Sequence, residues 1–235
     1  MGTLSELVTT EIGNFFKGNP RQIFHNELDF QLQLANHLSC SGLFTNVFIE
    51  YYVPKGYVSN YPWNSQIYID IVVERKVEGH DSEFFLIELK YKTKPINGVN
   101  YTCFNEELTE ITLLKNQGAQ NHACYDFWRD VKRIEYVQAR FSSVVGGVAI
   151  FLTNSEFYRD GKVPQKQKED YAEFSLNPGF NSTAEKCWKN DKNKGERAPK
   201  ITLQTNYDRQ WYEASMKAGC NSNNDVKLYY CMVEV

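Results

Sequence analysis

The spacing of apolar residues predicts two helices at the start of the chain. Residues 3–17 carry apolar side chains at helical spacing, and Gly18 ends this first helix. Asn19 followed by Pro20 has the pattern of an N-cap and a first helical residue. A second helix is therefore expected to run from there to about Ser39.

Glu27 lies in the middle of the apolar stripe of the second helix. The other members of this stripe are Ile23, Phe30, Leu34 and Leu38. One interpretation places Glu27 at the edge of the stripe, with its carboxylate reaching into solvent. The other directs the carboxylate inward, towards a polar site. The position of Glu27 alone leaves both open.

The middle of the chain has the patterns of strands and a further helix. Apolar runs predict three strands with glycines in the connections, which fits an antiparallel meander over 46–54, 66–74 and 83–92. The next segments are expected to be an irregular connection over 93–112 with a turn at Asn97-Gly98, a long helix over 113–139 and a buried strand over 146–153. On that helix Gln120 belongs to the buried stripe, whereas Arg133 belongs to the other faces.

The last third of the chain is more polar. Its charge run and prolines predict that residues 155–199 form either a long surface excursion or a partly mobile loop, which buries little apolar area. Late strands are expected over 200–206 and 226–235, joined through 208–218. The whole chain, 1–235, is expected to be a single domain with a core over about 19–154.

Three charged residues interrupt the two most apolar strands. Asp70 lies within YIDIVV, and Glu88 and Lys90 lie within LIELKYK. Since side chains alternate along a strand, Glu88 and Lys90 point to the same face. Burying such groups costs several kcal/mol unless they are paired or bind a metal ion. Either an ion pair between Asp70 and Lys90 that fixes strand register, or a metal site, would explain them.

These residues and their order resemble the PD-(D/E)xK, or restriction endonuclease-like, nuclease superfamily. The matching features are Asp70 on the middle strand and Glu88-Leu89-Lys90 on the next, within about 19–154. The resemblance implies an α/β (α+β) fold with an α-β-β-β-α-β core, a mixed central sheet flanked by helices, and here extra C-terminal strands. One departure is that Ile69, and not proline, precedes Asp70.

The chemistry of phosphodiester hydrolysis suits the same residues. Carboxylates of Asp70, Glu88 and Glu27, with the carbonyl of Leu89, are hard oxygen ligands for Mg²⁺ or Mn²⁺. Such a metal polarises a phosphoryl oxygen and lowers the pKa of bound water, and Lys90 can orient that water. In some relatives a polar residue of the following helix reaches the site, which here would be Gln120. A hydrogen bond in the core is the equal alternative for Gln120.

The leading hypothesis is a metal-dependent nuclease that acts on DNA, in defence against foreign DNA or in repair. The alternatives are an RNA-directed nuclease and an inactive module that keeps the fold to bind protein or nucleic acid. The net charge of −3 gives no global attraction to nucleic acid, so a homodimer or a DNA-reading partner subunit is expected to assist binding.

The composition also restricts the location of the protein. The sequence has no apolar run of transmembrane length and no pattern of a signal peptide, so a cytoplasmic protein is expected. Its six cysteines lack a C-x-x-C pair and are expected to be reduced, mostly buried thiols. His122 and Cys124 are too isolated to predict a zinc site.

Overall fold

The computed structural model is a mixed α+β fold built around one six-stranded sheet. It describes residues 2–18, 23–76, 79, 81–161, 173–180, 183–189, 195–214 and 227–235. Every helix among these residues is too short or too polar to span a lipid bilayer.

Four α-helices and ten strands make up the described regular structure, with two short 3₁₀ turns at Lys55–Tyr57 and Gly195–Arg197. The helices are α1 (Leu4–Gly18), α2 (Glu27–Cys40), α3 (Gln120–Arg140) and α4 (Glu156–Asp160). The strands are β1 (Asn46–Val53), β2 (Ile67–Arg75), β3 (Glu83–Lys92), β4 (Val99–Cys103), β5 (Glu106–Ile111), β6 (Val144–Thr153), β7 (Glu185–Lys186), β8 (Ile201–Thr202), β9 (Gln210–Ala214) and β10 (Leu228–Glu234).

The central sheet has the strand order β1-β2-β3-β6-β10-β9. The predicted antiparallel meander of β1, β2 and β3 is confirmed, and β6 pairs parallel to β3, so the sheet is mixed. Apolar residues of α1 and α2 form one core with one face of the sheet, and those of α3 form a second core with the other face. The end strands β10 and β9 extend the sheet beyond the expected core.

The second helix begins later than its sequence pattern predicted. It starts at Glu27, because Asn26 caps it by accepting a hydrogen bond from the N–H of Asp29 at 2.8 Å. The predicted cap at Asn19 and Pro20 lies outside the described residues. Ile23 is buried but not helical, and it packs in a small separate cluster. Glu27 therefore occupies the first helical turn, and not the middle of a stripe.

Two predicted connections contain strands. Residues 93–112 were expected to be irregular, but they form the β4–β5 hairpin. Residues 208–218 were expected to join two strands, but β9 lies within them and pairs with β10. The helix predicted from residue 113 begins at Gln120, since Leu114 forms a bridge to Ile96 ahead of it.

The described part of 155–199 is not a loop that buries little apolar area. Phe174 and Leu176 are fully buried, and Trp188 stacks on Tyr125 of α3 with ring centroids 5.7 Å apart. The indole N–H of Trp128 donates to the carbonyl of Phe174 at 3.0 Å. A few large aromatic residues in this polar segment thus cover the outer side of α3, which the average polarity of the segment concealed.

The cysteine prediction is correct in part. Among the described cysteines, Cys40, Cys103, Cys187 and Cys231 are free thiols. They are not mostly buried, since Cys124 and Cys231 are buried whereas Cys40 and Cys187 are exposed. Cys124 and Cys231 are on α3 and β10, which face the core.

Close packing brings α3 onto β3 and β6. A Cβ added at Gly147 of β6 would lie 2.5 Å from the Cγ2 of Ile134 on α3 and 3.1 Å from the carbonyl oxygen of Leu86 on β3. Only glycine leaves room for this approach. The polar side chains of the middle of α3 therefore reach the strand that carries Glu88 and Lys90.

Candidate functional site

Asp70 lies where the ladder between β2 and β3 ends. The ladder runs from the pair Arg75–Glu83 to the pair Ile71–Ile87. Asp70 is the next residue of β2 beyond this last pair. From there the Oδ2 of Asp70 accepts the backbone N–H of Leu89 at 2.6 Å. The carboxylate of Asp70 therefore lies between the two strands. The side chain of Gln31 donates a hydrogen bond of 2.7 Å to the backbone carbonyl of Asp70.

Glu88 is fully buried and directed towards α3. Its Oε1 lies 2.7 Å from the Nη1 of Arg133, and its Oε2 is buried with no hydrogen-bond partner. A buried carboxylate oxygen without a donor is unfavourable in a folded protein. Glu88 thus presents one satisfied and one unsatisfied oxygen in the site.

The helix α3 supplies two site residues that the sequence analysis missed, Asp130 and Arg133. The Nη2 of Arg133 lies 3.0 Å from the Oδ1 of Asp130, one turn earlier on the same helix. Arg133 was assigned to the other faces of this helix, but its guanidinium is largely buried between Glu88 and Asp130. The available signal was their i, i+3 spacing beside the apolar stripe of the helix.

Lys90 makes its closest ion pair with this helix. Its ammonium lies 2.8 Å from the Oδ2 of Asp130 and 3.8 Å from the Oε1 of Glu27, and it donates to the carbonyl of Leu89 at 2.9 Å. The alternative that paired Lys90 with Asp70 therefore identified the wrong main partner. Lys90 instead connects β3 to α2 and α3.

Glu27 reaches the same group of residues from the first turn of α2. Its Oε2 accepts the backbone N–H of Tyr91 at 2.7 Å, and 41% of its side chain remains exposed. One turn later, Gln31 donates both to the Oε1 of Glu50 on β1, at 2.8 Å, and to Asp70. The carboxylate of Glu27 thus faces the site from its solvent side, which combines features of both interpretations of the sequence.

The three buried acids Asp70, Glu88 and Asp130 differ in the direction in which their pKa values are shifted. Burial raises the pKa of Asp70 to about 6, and burial also raises the pKa of Glu88 well above its usual value despite the guanidinium of Arg133. Burial opposes ionisation of Asp130 as well, but Lys90 and Arg133 hold its pKa below its usual value. The two strand carboxylates are therefore the under-compensated members of the site.

Lys90 remains an ammonium ion. Burial favours its neutral form, but Asp130, Glu27 and Asp70 outweigh this effect and raise its pKa. A cation with a raised pKa donates hydrogen bonds and stabilises negative charge, and it does not accept a proton at neutral pH. Lys90 can thus act electrostatically, but not as a general base.

The site has a formal excess of negative charge. Glu27, Asp70, Glu88 and Asp130 provide four carboxylates, whereas Lys90 and Arg133 provide two cations. Two negative charges are then uncompensated when all groups are ionised. A divalent cation would neutralise this excess, and without one the protein reduces it by raising two carboxyl pKa values.

The donors fit a metal ion held by few protein ligands. No three His, Cys, Asp or Glu residues among those described are placed together as a metal-binding group, so the expected convergence of Glu27 with Asp70 and Glu88 is not met. Mg²⁺ commonly uses one or two carboxylates and completes its shell with water and substrate phosphate. Asp70 and the unsatisfied oxygen of Glu88, with the carbonyl of Leu89 once Lys90 releases it, suit that mode.

Gln120 does not join these residues. It is the first residue of α3, ten residues before Asp130, which is about 15 Å along a helix axis. Gln117, just before the helix, donates its backbone N–H to the carbonyl of Thr93 at 3.0 Å, and its side-chain oxygen is buried with no hydrogen-bond partner. The polar residues of α3 that reach the strands are Asp130 and Arg133.

Comparison of the chain with known protein families, curated proteins and solved structures finds no match.

Proposed function

We propose that this protein is a metal-dependent nuclease that hydrolyses phosphodiester bonds in DNA, with a restriction endonuclease-like core. The observation that carries the proposal is the grouping of four carboxylates, those of Glu27, Asp70, Glu88 and Asp130, around only two cations, Lys90 and Arg133, which is a formal excess of two negative charges when all groups are ionised. A purely structural network would gain stability from matching its charges. This site instead has a formal excess of two negative charges, which one Mg²⁺ or Mn²⁺ ion would neutralise.

The order of the elements supports the same proposal. Apart from the β4–β5 hairpin, which is inserted between β3 and α3, the order α2-β1-β2-β3-α3-β6 is the α-β-β-β-α-β order that the resemblance implies, and the β3–β6 pair is parallel. Asp70 is on the middle strand of the meander and Glu88 and Lys90 are on the next. We also assign the reaction to the cytoplasm, where free thiols such as Cys40 and Cys187 stay reduced.

Each residue has a role that follows from its contacts. Asp70, Glu88 and the carbonyl of Leu89 would hold the metal, which supplies a polarised phosphoryl oxygen and a more acidic bound water. Lys90, held as an ammonium ion by Asp130, stabilises negative charge that develops at the phosphate. Asp130 and Arg133 are positioning residues, because they act through Lys90 and Glu88.

Glu27 and Gln31 position the same strands from α2. Glu27 fixes the backbone of Tyr91 next to Lys90, and Gln31 fixes the backbone of Asp70. Both contacts are to main-chain atoms, so they set the spacing between β2 and β3 at the point where the ladder ends. This spacing determines how far apart the carboxylates of Asp70 and Glu88 are.

A cleavage assay with matched variants tests the proposal. Supercoiled and linear DNA, and RNA of the same sequence, are incubated with the purified protein in Mg²⁺ or Mn²⁺ and in EDTA. Asp70→Asn and Glu88→Gln should lose cleavage, whereas Glu83→Gln should retain it. Glu83 is the control because it is an ion-paired glutamate at the other end of β3, 2.7 Å from Arg75.

The outcomes separate the hypotheses. Metal-dependent cleavage of DNA that needs Asp70 and Glu88 supports the proposal. Cleavage of RNA but not DNA would replace the substrate, and the absence of cleavage of either by the folded parent protein would contradict the enzymatic function. Equal cleavage by parent and Asp70→Asn would indicate a contaminating nuclease.

A further inference from the structure

The β4–β5 hairpin ends in a fully exposed aromatic side chain. Phe104 keeps 97% of its surface exposed. Phe104 and Asn105 form the two-residue turn of the hairpin, with φ angles of 49° and 70°. Asn tolerates this left-handed conformation, whereas a bulky residue such as Phe seldom adopts it. The hairpin therefore holds out to solvent a phenyl ring that contributes nothing to the core of its own chain.

The hairpin is also acidic. Glu106, Glu107 and Glu110 are exposed on β5, and the sequence of residues 99–111 contains no lysine or arginine. Carboxylates repel the phosphates of a nucleic acid, so this arm is a poor contact for the proposed substrate. An apolar tip on an acidic arm instead suits an apolar pocket of a protein that has cations beside it.

An apolar pocket of sufficient size lies on the α3 side of the sheet, next to the edge strand β1. It has a volume of about 220 Å³, whereas an apolar cavity of about 150 Å³ is already large enough to bind benzene. Tyr51, at the side of the pocket, is 40% exposed. The residues of its apolar wall come from three strands and from the end of α3, and include Val53, Val72, Phe84, Leu86, Val137 and Phe141.

Two cations lie beside this pocket. Arg140 is exposed, and its guanidinium carbon lies 5.0 Å from the centre of the ring of Phe141, which lines the pocket. Lys55 follows Pro54, another lining residue, directly in the chain. The described lining residues themselves are all uncharged. Apolar walls beside positive charge complement the apolar tip and the carboxylates of the hairpin.

The hairpin and the pocket belong to opposite ends of β3. The pocket is lined by Phe84, near the start of this strand, whereas the hairpin follows Lys92, the last residue of the strand. The strand between these two residues spans about 26 Å. Phe104 is exposed, so it does not occupy the pocket of its own chain. The pocket that Phe104 can fill is therefore that of another copy.

We infer that Phe104 of one copy inserts into the apolar pocket of a second copy, so that the β4–β5 hairpin is an arm for self-association. In a two-fold dimer each copy gives its arm and receives that of its partner, which makes the contact closed and reciprocal. The inference does not depend on the proposed nuclease function. It specifies which surfaces would form the homodimer that the sequence analysis expected.

Analytical ultracentrifugation of matched variants tests the inference, at protein concentrations from about 1 to 300 µM. Phe104→Ala removes the tip of the arm, and its control is Tyr212→Ala, because Tyr212 is a 42% exposed aromatic residue on β9, at the opposite edge of the sheet from β1. Ser143→Phe fills the pocket, since Ser143 is a partly buried lining residue. Its control is Ser142→Phe, because Ser142 is the exposed neighbour outside the lining.

The expected result is loss of association in two of the four variants. The parent should dimerise within this concentration range. Phe104→Ala and Ser143→Phe should each associate roughly thirtyfold more weakly, the effect of losing a central anchor residue of an interface. Tyr212→Ala and Ser142→Phe should associate like the parent. Thermal melting of every variant shows whether it is folded.

A mixture of the two weakened variants gives a second, independent measurement. Phe104→Ala keeps an intact pocket, and Ser143→Phe keeps an intact arm, so the mixture can form one of the two reciprocal contacts. A fluorescently labelled Phe104→Ala protein should therefore bind unlabelled Ser143→Phe more tightly than either variant binds itself. A loss of association caused by misfolding would not be restored by mixing.

Three outcomes overturn the inference. If the parent stays monomeric up to about 300 µM, the arm binds a different protein or none, and self-association through it is wrong. If the parent dimerises and Phe104→Ala or Ser143→Phe dimerises equally well, another surface forms the dimer. If the mixture of these variants does not associate, the arm does not enter the pocket. Each of these results leaves the proposed nuclease function untouched, since that function is tested by cleavage.

Discussion

The ammonium of Lys90 lies 2.8 Å from the Oδ2 of Asp130, a carboxylate forty residues later on α3 that is almost completely buried. This ion pair joins the strand that carries the proposed metal ligands to the helix that covers it. It also keeps Lys90 charged, so the pair determines what chemistry Lys90 can perform.

The pair predicts strong coupling between Lys90 and Asp130. Lys90→Met leaves the buried carboxylate with Arg133 as its remaining ion-pair partner, and it should lower the free energy of unfolding by about 3 kcal/mol. Asp130→Asn should have a similar effect. The double variant should lose less than the two single losses together, with a coupling energy of about 1–3 kcal/mol. Urea denaturation in EDTA measures all four proteins, and additive losses would show that the pair is not formed in solution.

Removing the guanidinium of Arg133 should lower the free energy of unfolding more than neutralising its partner Glu88. Arg133→Met leaves the fully buried Glu88 and Asp130 without their shared guanidinium, so it should cost about 3–5 kcal/mol in the metal-free protein. Adding Glu88→Gln should restore part of this loss, because the buried group is then neutral. Thermal melting of the single and double variants shows whether their stabilities follow this order, with Arg133→Met the least stable. A surface control is Lys200→Met, whose ion pair with Glu185 is exposed and should contribute about 0–1 kcal/mol.

The raised pKa of Asp70 predicts that this carboxyl lowers the stability of the metal-free protein as the pH rises. Its carboxyl has a pKa of about 6 in the folded protein and about 3.9 in the unfolded chain. The folded protein thus binds this proton more tightly. The contribution of Asp70 to stability is most favourable below about pH 4, decreases between about pH 4 and 6, and is constant above that range.

Asp70→Asn should therefore stabilise the metal-free protein at pH 8, by up to about 3 kcal/mol, because it removes the cost of ionising a buried carboxyl. The amide oxygen can still accept the N–H of Leu89. The advantage of the variant should shrink as the pH falls below 6. Denaturation curves in EDTA from pH 5 to 8 test this, and a variant that is less stable than the parent at pH 8 would contradict the assigned pKa.

The close packing of α3 on the sheet predicts a cost at Gly147. Gly147→Ala places a methyl group 2.5 Å from the Cγ2 of Ile134 and 3.1 Å from the carbonyl oxygen of Leu86, so the contact between α3 and the sheet must adjust. We expect a loss of about 1–3 kcal/mol, and weaker metal binding, because Asp130 and Arg133 shift with α3. Gly13→Ala is the control, since no atom lies within 4 Å of a Cβ added there. Melting and metal titration measure both effects.

The sequence predicted the elements whose patterns are local. The apolar runs of β1, β2, β3 and β6 located these strands within a few residues, and the alternation along β3 placed Glu88 and Lys90 on one face. These features depend only on strand periodicity. The predicted start of α2 was wrong, because Asn26, which accepts a hydrogen bond from the N–H of Asp29, caps the helix just before Glu27.

The partners of the site residues could not be predicted in the same way. Asp130 and Arg133 are polar residues on an amphipathic helix, where the sequence suggests solvent exposure. They are buried because α3 packs closely on the sheet at Gly147 and because both side chains face Glu88 and Lys90 of β3. Both causes are contacts between α3 and strands that are distant in the sequence, and the periodicity of the helix alone does not predict them.

The most direct test of the proposed metal site is an anomalous difference map from crystals soaked in Mn²⁺. We predict a peak between the carboxylates of Asp70 and Glu88, with the previously unpaired Oε2 of Glu88 among the ligands. Crystals of Glu88→Gln should lack the peak. If millimolar Mn²⁺ gives no peak and Glu88 keeps its ion pair with Arg133 unchanged, the site is a structural ion-pair network and the account of a metal-dependent nuclease is wrong.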